Sequence, residues 1–191
     1  RTAPEAELQD RAGVDAHLRR RLNPAMSQAR RHPNVVHRDE VSAIPMTKGK
    51  HHMELRRLGA AGGSQMLGAN LIEVPPGNIS FPFHYHCATE EALYVVRGSG
   101  TARIGDARIP VREGDWISFP VGPDHAHQMI NDGTEPLVYL CVSASAQKVD
   151  VVGYPDSKKL AASAGTFEKP IHRWISREGE TLDYWDGEPD A

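Results

Sequence analysis

Cysteine is nearly absent from this chain: among 191 residues only Cys87 and Cys141 are thiols, and they form no CxxC pair. That excludes a disulfide framework as the source of stability, and two free thiols in a reducing compartment are expected instead. Long apolar runs are missing too. No stretch approaches the roughly 20 residues that a bilayer-spanning helix needs, and the opening RTAPEAELQD is too polar for a secretory signal. A cytoplasmic location is therefore expected. The chain opens at Arg1 rather than at methionine, so a preceding segment is expected to have been removed. An excess of one charge is likewise lacking. A net charge of -3 supplies neither a polycation for nucleic acid nor a polybasic anchor for membrane. The chain has no Ser-His-Asp order, phosphate-cradling lysine loop or dinucleotide fingerprint, and Gly98-x-Gly100 lacks the third glycine and the following helix. Small-molecule partners are favoured, and nucleic acid is not expected as one.

What is present divides into three parts. Residues 1–45 read as an N-terminal arm: Leu8, Ala12, Leu18 and Leu22 fall near helical spacing before Asn23-Pro24, and NVVHRDEVSAIP is an extended lead-in that breaks at Pro45. Residues 46–146 read as the core. MELRRLG and MLGANLIEVPPG have the look of two strands, and GTARIG, ARIPVREG, DWISFP, HAHQMIN and PLVYLCVS follow at short, regular intervals separated by glycine and aspartate turns. Short strands so spaced, with no helices between them, predict an all-β antiparallel sandwich or barrel. Residues 147–191 read as a polar, irregular C-terminal extension that Trp174, Tyr184 and Trp185 dock on the barrel or on a partner chain.

The chemistry-bearing residues lie in two stretches of that core. In GNISFPFHYHCATEEALYVVRG, Gly77 to Gly98, two histidines alternate at His84 and His86, and Glu91 follows. Residues i and i+2 share a face of a strand, so both imidazoles can aim at one point. His51 and His52 are neighbours and would face opposite ways, so they receive no site role. Cys87, directly after His86, reads as a small buried hydrophobe. The second stretch, GDWISFPVGPDHAHQMIN, Gly114 to Asn131, carries His125 and His127.

Together these stretches resemble the paired motifs of the cupin superfamily. Gly77, His84, His86, Glu91 and Gly98 match the first motif, with one extra residue between Gly77 and His84. Gly114, Pro120, Gly122, a histidine and Asn131 match the second. Spacing from Gly122 would choose His125, and spacing to Asn131 chooses His127. The latter is favoured, because an insertion in a loop costs little whereas a register slip flips the side chain. YPDSKK at Tyr154 to Lys159 and DYWDGE at Asp183 to Glu188 further resemble the endings of small stand-alone bacterial cupins.

The resemblance implies a single double-stranded β-helix, or jelly-roll barrel, with an N-terminal helical or extended arm and an irregular C-terminal tail. It also implies one divalent metal ion (zinc, manganese or iron) held by His84, His86, Glu91 and His127, with one or two positions left for water or substrate. Alternation along the strands adds His125 as a catalytic acid or base and Ser80, Leu93 and Met129 as substrate-contacting residues. The expected function is an enzyme of dioxygenase, isomerase or lyase type acting on a small sugar-like or carboxylate molecule, in a homodimer. The alternative is a non-catalytic, metal-dependent binding or sensor module.

Overall fold

The computed structural model describes residues 32–144, 149–165, 170–179 and 181–188. The helix expected before Asn23-Pro24 lies outside them. The chain divides into residues 1–35 and 36–191 as separate units, and the second carries the fold.

Thirteen strands alternate with tight turns in that unit, and the only helical pieces among the described residues are three 3-10 turns and the single turn Leu58–Ala61. A six-stranded sheet runs in the order β1 (Ile44–Lys48), β2 (His51–Arg56), β3 (Leu67–Val74), β10 (Leu137–Ala144), β5 (Glu90–Arg97), β8 (Trp116–Phe119). A three-stranded sheet holds β7 (Ala107–Arg112), β6 (Ser99–Ile104) and β9 (His127–Ile130). The third sheet runs β13 (Pro170–Arg177), β12 (Lys159–Gly165), β11 (Val149–Tyr154), β4 (Tyr85–His86). Every pairing between these strands is antiparallel, as the short connections require.

One core lies between the first two sheets, because alternate residues of their strands turn inward. Met53, Ile72, Val74, Leu93, Val95, Leu137 and Tyr139 come from the large sheet, and Ala102, Val111 and Met129 from the small one. Full burial of each larger side chain contributes about 1.5–3 kcal/mol. The expectation of an all-β barrel holds. Gly98 shows how tightly the barrel closes: it joins β5 to β6 at φ 85°, and a Cβ there would stand 2.4 Å from the Pro136 carbonyl oxygen. Only glycine can make that connection.

Two local readings are corrected. The segment after residue 147 supplies β11, β12 and β13, and among the described residues it is irregular only beyond Arg177. Its composition hid this. The alanines and serine of KLAASAG carry little hydrophobic signal, yet small residues are what this sheet uses: a Cβ on Gly153 would meet the Tyr85 ring at 2.2 Å. The strand expected through His84 and His86 is also shorter, because β4 holds only Tyr85 and His86, and His84 makes an isolated bridge to His127.

Candidate metal centre

β5 starts at Glu90, so alternation turns Glu91, Leu93 and Val95 inward and leaves Glu90 and Tyr94 exposed. Glu91 thus enters the barrel from the large sheet. His127 opens β9 on the small sheet, and paired hydrogen bonds lock it to His84: His127 N donates to the His84 carbonyl at 2.8 Å and His84 N to the His127 carbonyl at 3.2 Å. His86 comes from β4, the inner edge of the third sheet. Each of the three sheets therefore contributes to one point.

At that point a single oxygen, Oε2 of Glu91, lies 3.3 Å from His127 Nε2, 3.4 Å from His86 Nε2 and 3.9 Å from His84 Nε2. Candidate ligand atoms of His84, His86 and Glu91 all fall within 4.8 Å of one another. The opposite nitrogen of each ring is already engaged. Nδ1 of His84 meets the Pro82 carbonyl at 2.7 Å, Nδ1 of His127 meets the His125 carbonyl at 3.0 Å, and Nδ1 of His86 meets Asp150 Oδ2 at 2.5 Å. A carbonyl can only accept, so Nδ1 of His84 and of His127 carries a proton, and Nε2 of each ring is the nitrogen directed at Glu91. The rings are also held by stacking: Phe119 lies on His127 at 3.7 Å between centroids and 8° between planes, and Tyr154 stacks on His84 at 6.1 Å and 27°.

The charges follow from this enclosure. Burial and the neighbouring His127 lower the pKa of His84 to about 4. Burial also works against charge on His86, but hydrogen bonds to Asp150 and Glu91 outweigh it and raise that group to about 9. Burial would push Glu91 up, yet its hydrogen bonds with His127 and His86 hold it far below the ordinary carboxylate range. Asp150 is lowered in the same way: burial opposes, and the His86 hydrogen bond prevails. The second Glu91 oxygen, Oε1, accepts from the buried Cys141 thiol at 3.7 Å.

His84, His86 and Glu91 form a group that could hold a divalent ion. Two donors each about 2.1 Å from one ion stand roughly 3 to 3.5 Å apart, which is the spacing of His86 and His127 from Glu91, while His84 sits slightly wider. Imidazole nitrogens and a carboxylate suit several first-row metals alike.

The remaining sequence candidates fall elsewhere. His125 ends the turn Pro123–His125, before β9 begins, so strand alternation does not carry it beside His127, and what it gives the cluster is its backbone carbonyl. Leu93 and Met129 belong to the apolar core. Ser80 is buried, with its hydroxyl accepting from Met129 N at 3.2 Å. Cys87 is exposed rather than buried, since β4 has ended at His86. A cleft of about 570 Å³, bordered by Met46, His51, Phe81, Phe83 and Lys159 among others, includes none of the four converging residues in its lining.

Two contributors escaped the sequence reading, Asp150 and Tyr154. Both lie on β11, and the alternation of Asp150, Val152 and Tyr154 in VDVVGY was the available signal. A bidentate pair from Arg103 to Asp156, at 2.6 and 2.9 Å, ties the turn after Tyr154 back to β6, with the Arg103 guanidinium 3.6 Å above the Phe83 ring. That anchor keeps Tyr154 over His84.

Comparison with known proteins agrees with this architecture. A candidate sugar phosphate isomerase from Acidithiobacillus ferrooxidans superposes with a TM-score of 0.68 at 27% identity, over 79% of this chain and 97% of that one. A cupin superfamily sugar phosphate isomerase from Silicibacter pomeroyi gives 0.65 at 25% identity, over 76% and 94%. An oxalate decarboxylase assigned by prediction in Thermotoga maritima, at 22% identity and 0.52 over 58% and 98%, shares the fold alone. An uncharacterised protein of Methanocaldococcus jannaschii is 34% identical over 70 residues, 37% of this chain, and the chain spans about half (54%) of that curated relative's length. The cupin domain model matches residues 70–143. That match starts on the strand before His84 and ends on the strand after His127, so it encloses all four converging side chains, and over these residues the chain carries a cupin domain.

Proposed function

We propose that this protein is a metal-dependent isomerase for small hydroxylated carbonyl compounds of the sugar type, with His84, His86, Glu91 and His127 as the metal ligands. One observation carries the reading: three imidazole Nε2 atoms converge on a single buried carboxylate oxygen, with the Nδ1 side of every ring tied to an acceptor. Two neighbours that cover 79% and 76% of the chain, both described as sugar phosphate isomerases, favour isomerisation over the oxygenase and lyase alternatives.

A bound divalent ion would polarise the substrate carbonyl and acidify the carbon beside it. Isomerisation then needs no oxidant. A proton leaves that carbon and one returns to the former carbonyl carbon, while a hydroxyl proton changes oxygen, so substrate and product have the same composition. Tyr154 is suited to hold a proton at the mouth. Burial raises its pKa, which keeps the phenol a donor at neutral pH, and its ring is stacked on His84.

The test loads the full chain with zinc, manganese or iron in turn and follows aldose and ketose substrates, free and phosphorylated, by NMR in deuterated water. Deuterium should enter beside the carbonyl only with metal-loaded protein. The double substitution His84→Ala and His86→Ala should remove both metal and exchange and leave the β-sheet circular dichroism intact. Unchanged metal content in that variant, measured by elemental analysis, would sink the assignment.

Asp150 supports the same reading from outside the ligand set. Its carboxylate meets His86 Nδ1 and accepts from Ala88 N at 2.9 Å, which fixes the ring's orientation. Carboxylate partners of metal-ligating histidines are worth about 10–100-fold in metal affinity. Asp150→Ala is expected to weaken metal binding by that factor in a chelator competition titration, and a change below threefold would count against the role.

The homodimer is part of the proposal. Ile171 and Trp174 on β13, with Leu182, Tyr184 and Trp185 beyond it, are each more than half exposed, a run of large apolar side chains that a second copy would cover.

A further inference from the structure

The sheet that carries His86 into the metal centre continues outward through β11, β12 and β13, and its register fixes what shares the inner face. Across an antiparallel pair, directly opposed residues point to the same side, and alternate residues along a strand do so too. Asp150, Val152 and Tyr154 of β11 stand opposite Ser163, Ala161 and Lys159 of β12, which in turn stand opposite Arg173, Ile175 and Arg177 of β13. Val152 is also the partner of His86. The face that presents His86, Asp150 and Tyr154 to the centre is therefore the face that carries Lys159, Arg173 and Arg177.

The contacts agree with the register. Lys159 Nζ lies 5.2 Å from the centroid of the Tyr154 ring. Arg173 acts on the Tyr154 phenol, opposing the upward push of burial. On the floor of this face Ala161 and Ser163 of β12 are small, which lets a ligand approach the sheet closely, and Ile175 lies between the two arginines. The one carboxylate that this face carries on β11, β12 or β13, Asp150, is turned to His86 and the Ala88 amide. Glu178 lies just beyond β13, which ends at Arg177. Among the described residues, no ion pair engages Lys159, Arg173 or Arg177.

Three cations on one face beside a chain of net charge -3 are not the average surface of this molecule. We infer that Lys159, Arg173 and Arg177 form an anion-binding rim beside the metal centre, and that the molecule taken there carries a phosphate group. Two guanidinium forks and an ammonium suit a phosphate dianion, which can accept several charge-assisted hydrogen bonds at once. The rim holds the phosphate end, Tyr154 lies between rim and centre, and the reacting carbonyl end reaches the metal. This inference rests on the metal-centre reading above, and it adds where and by what charge the remote end of the substrate is held.

The test uses the full chain and two probes, inorganic phosphate and phosphoglycolate, in isothermal titration calorimetry at low and moderate salt. Metal-loaded wild type should bind phosphoglycolate, with affinity falling as salt rises. The double substitution Arg173→Ala and Arg177→Ala should weaken that binding at least about tenfold, and Lys159→Met by a smaller factor, with metal content unchanged by elemental analysis. Arg108→Ala, an exposed cation on β7, should change nothing. Equal affinity in wild type and the double variant overturns the rim, as does an absence of phosphoglycolate binding to metal-loaded wild type. The two readings fail separately. Phosphate binding by chelator-treated protein that depends on Arg173 and Arg177 upholds the rim even if no metal is ever held, whereas stoichiometric metal with no phosphate dependence upholds only the centre.

Discussion

Glu91→Gln protein is expected to fold and to lose the divalent-metal binding proposed for this site. Glutamine preserves the shape of the side chain and removes its charge, and Glu91 is the anion on which His84, His86 and His127 all converge. The site is largely buried, so little water can replace what the carboxylate gives. Removing one partner of a buried charge pair costs about 3–5 kcal/mol, and at 1.4 kcal/mol per decade this is roughly two to four orders of magnitude in affinity. A chelator competition titration reads the loss directly, and thermal denaturation of the metal-free protein separates it from unfolding. Affinity within tenfold of wild type would show that the carboxylate is not a ligand, and attention would pass to Asp150, which also meets His86.

The contrast between Glu91 and Asp150 shows what the sequence could and could not reveal. Glu91 is five residues from His86 and on a strand with a plain apolar alternation, so the face it shares with Leu93 and Val95 was readable from pattern alone. Asp150 is 64 residues from His86 and meets it only because β11 pairs with β4 over two residues. No local pattern encodes so short a pairing. The weak apolar signal of KLAASAG and the exposed face of β13 concealed the rest of that sheet. His127 could be preferred to His125 on register grounds, and the structure supplies the reason: a 3-10 turn occupies Pro123–His125, so only from His127 onward does alternation hold. Ser80, Leu93 and Met129 were placed correctly on inward faces, but inward here means core. Alternation tells which side of a sheet a residue takes and says nothing of how far along the barrel the packed core ends and the open mouth begins.

The same distinction governs the third sheet. Its inner edge gives His86 to the centre, while its outer strands carry cations and small residues in place of apolar ones. A sheet built only for packing would have repeated the pattern of β3 and β10, whose inward positions Ile72, Val74, Leu137 and Tyr139 are buried almost completely. Instability of an exposed sheet is offset here by anchors rather than by burial, through the Arg103–Asp156 pair and the close fit of Tyr85 against Gly153.

Asn131→Ala is expected to act on the barrel and to spare the centre. Asn131 is wholly buried, and every hydrogen-bonding group it has is used. Its side-chain amide donates to the Val74 carbonyl at 2.7 Å and to the Glu135 carbonyl at 2.9 Å, and its Oδ1 accepts from Gly133 N at 3.0 Å. Its backbone binds Asn78 and Gly77 on the other side, each at 2.9 Å. One residue thus clamps the end of β3, the loop into β10 and the turn that leads to the histidines. Alanine removes three bonds and leaves buried groups unpaired, a loss of about 2–4 kcal/mol. For a chain of this size that lowers the melting temperature by roughly 5–15 °C. Metal affinity of the folded protein should change less than threefold, because His127 is registered on His84 by two backbone hydrogen bonds that do not involve Asn131. A melting temperature within 2 °C of wild type, a shift of about 1 kcal/mol at most, would refute the clamp. A normal melt with lost metal would instead mean that Asn131 acts through His127, four residues upstream on the same strand's end.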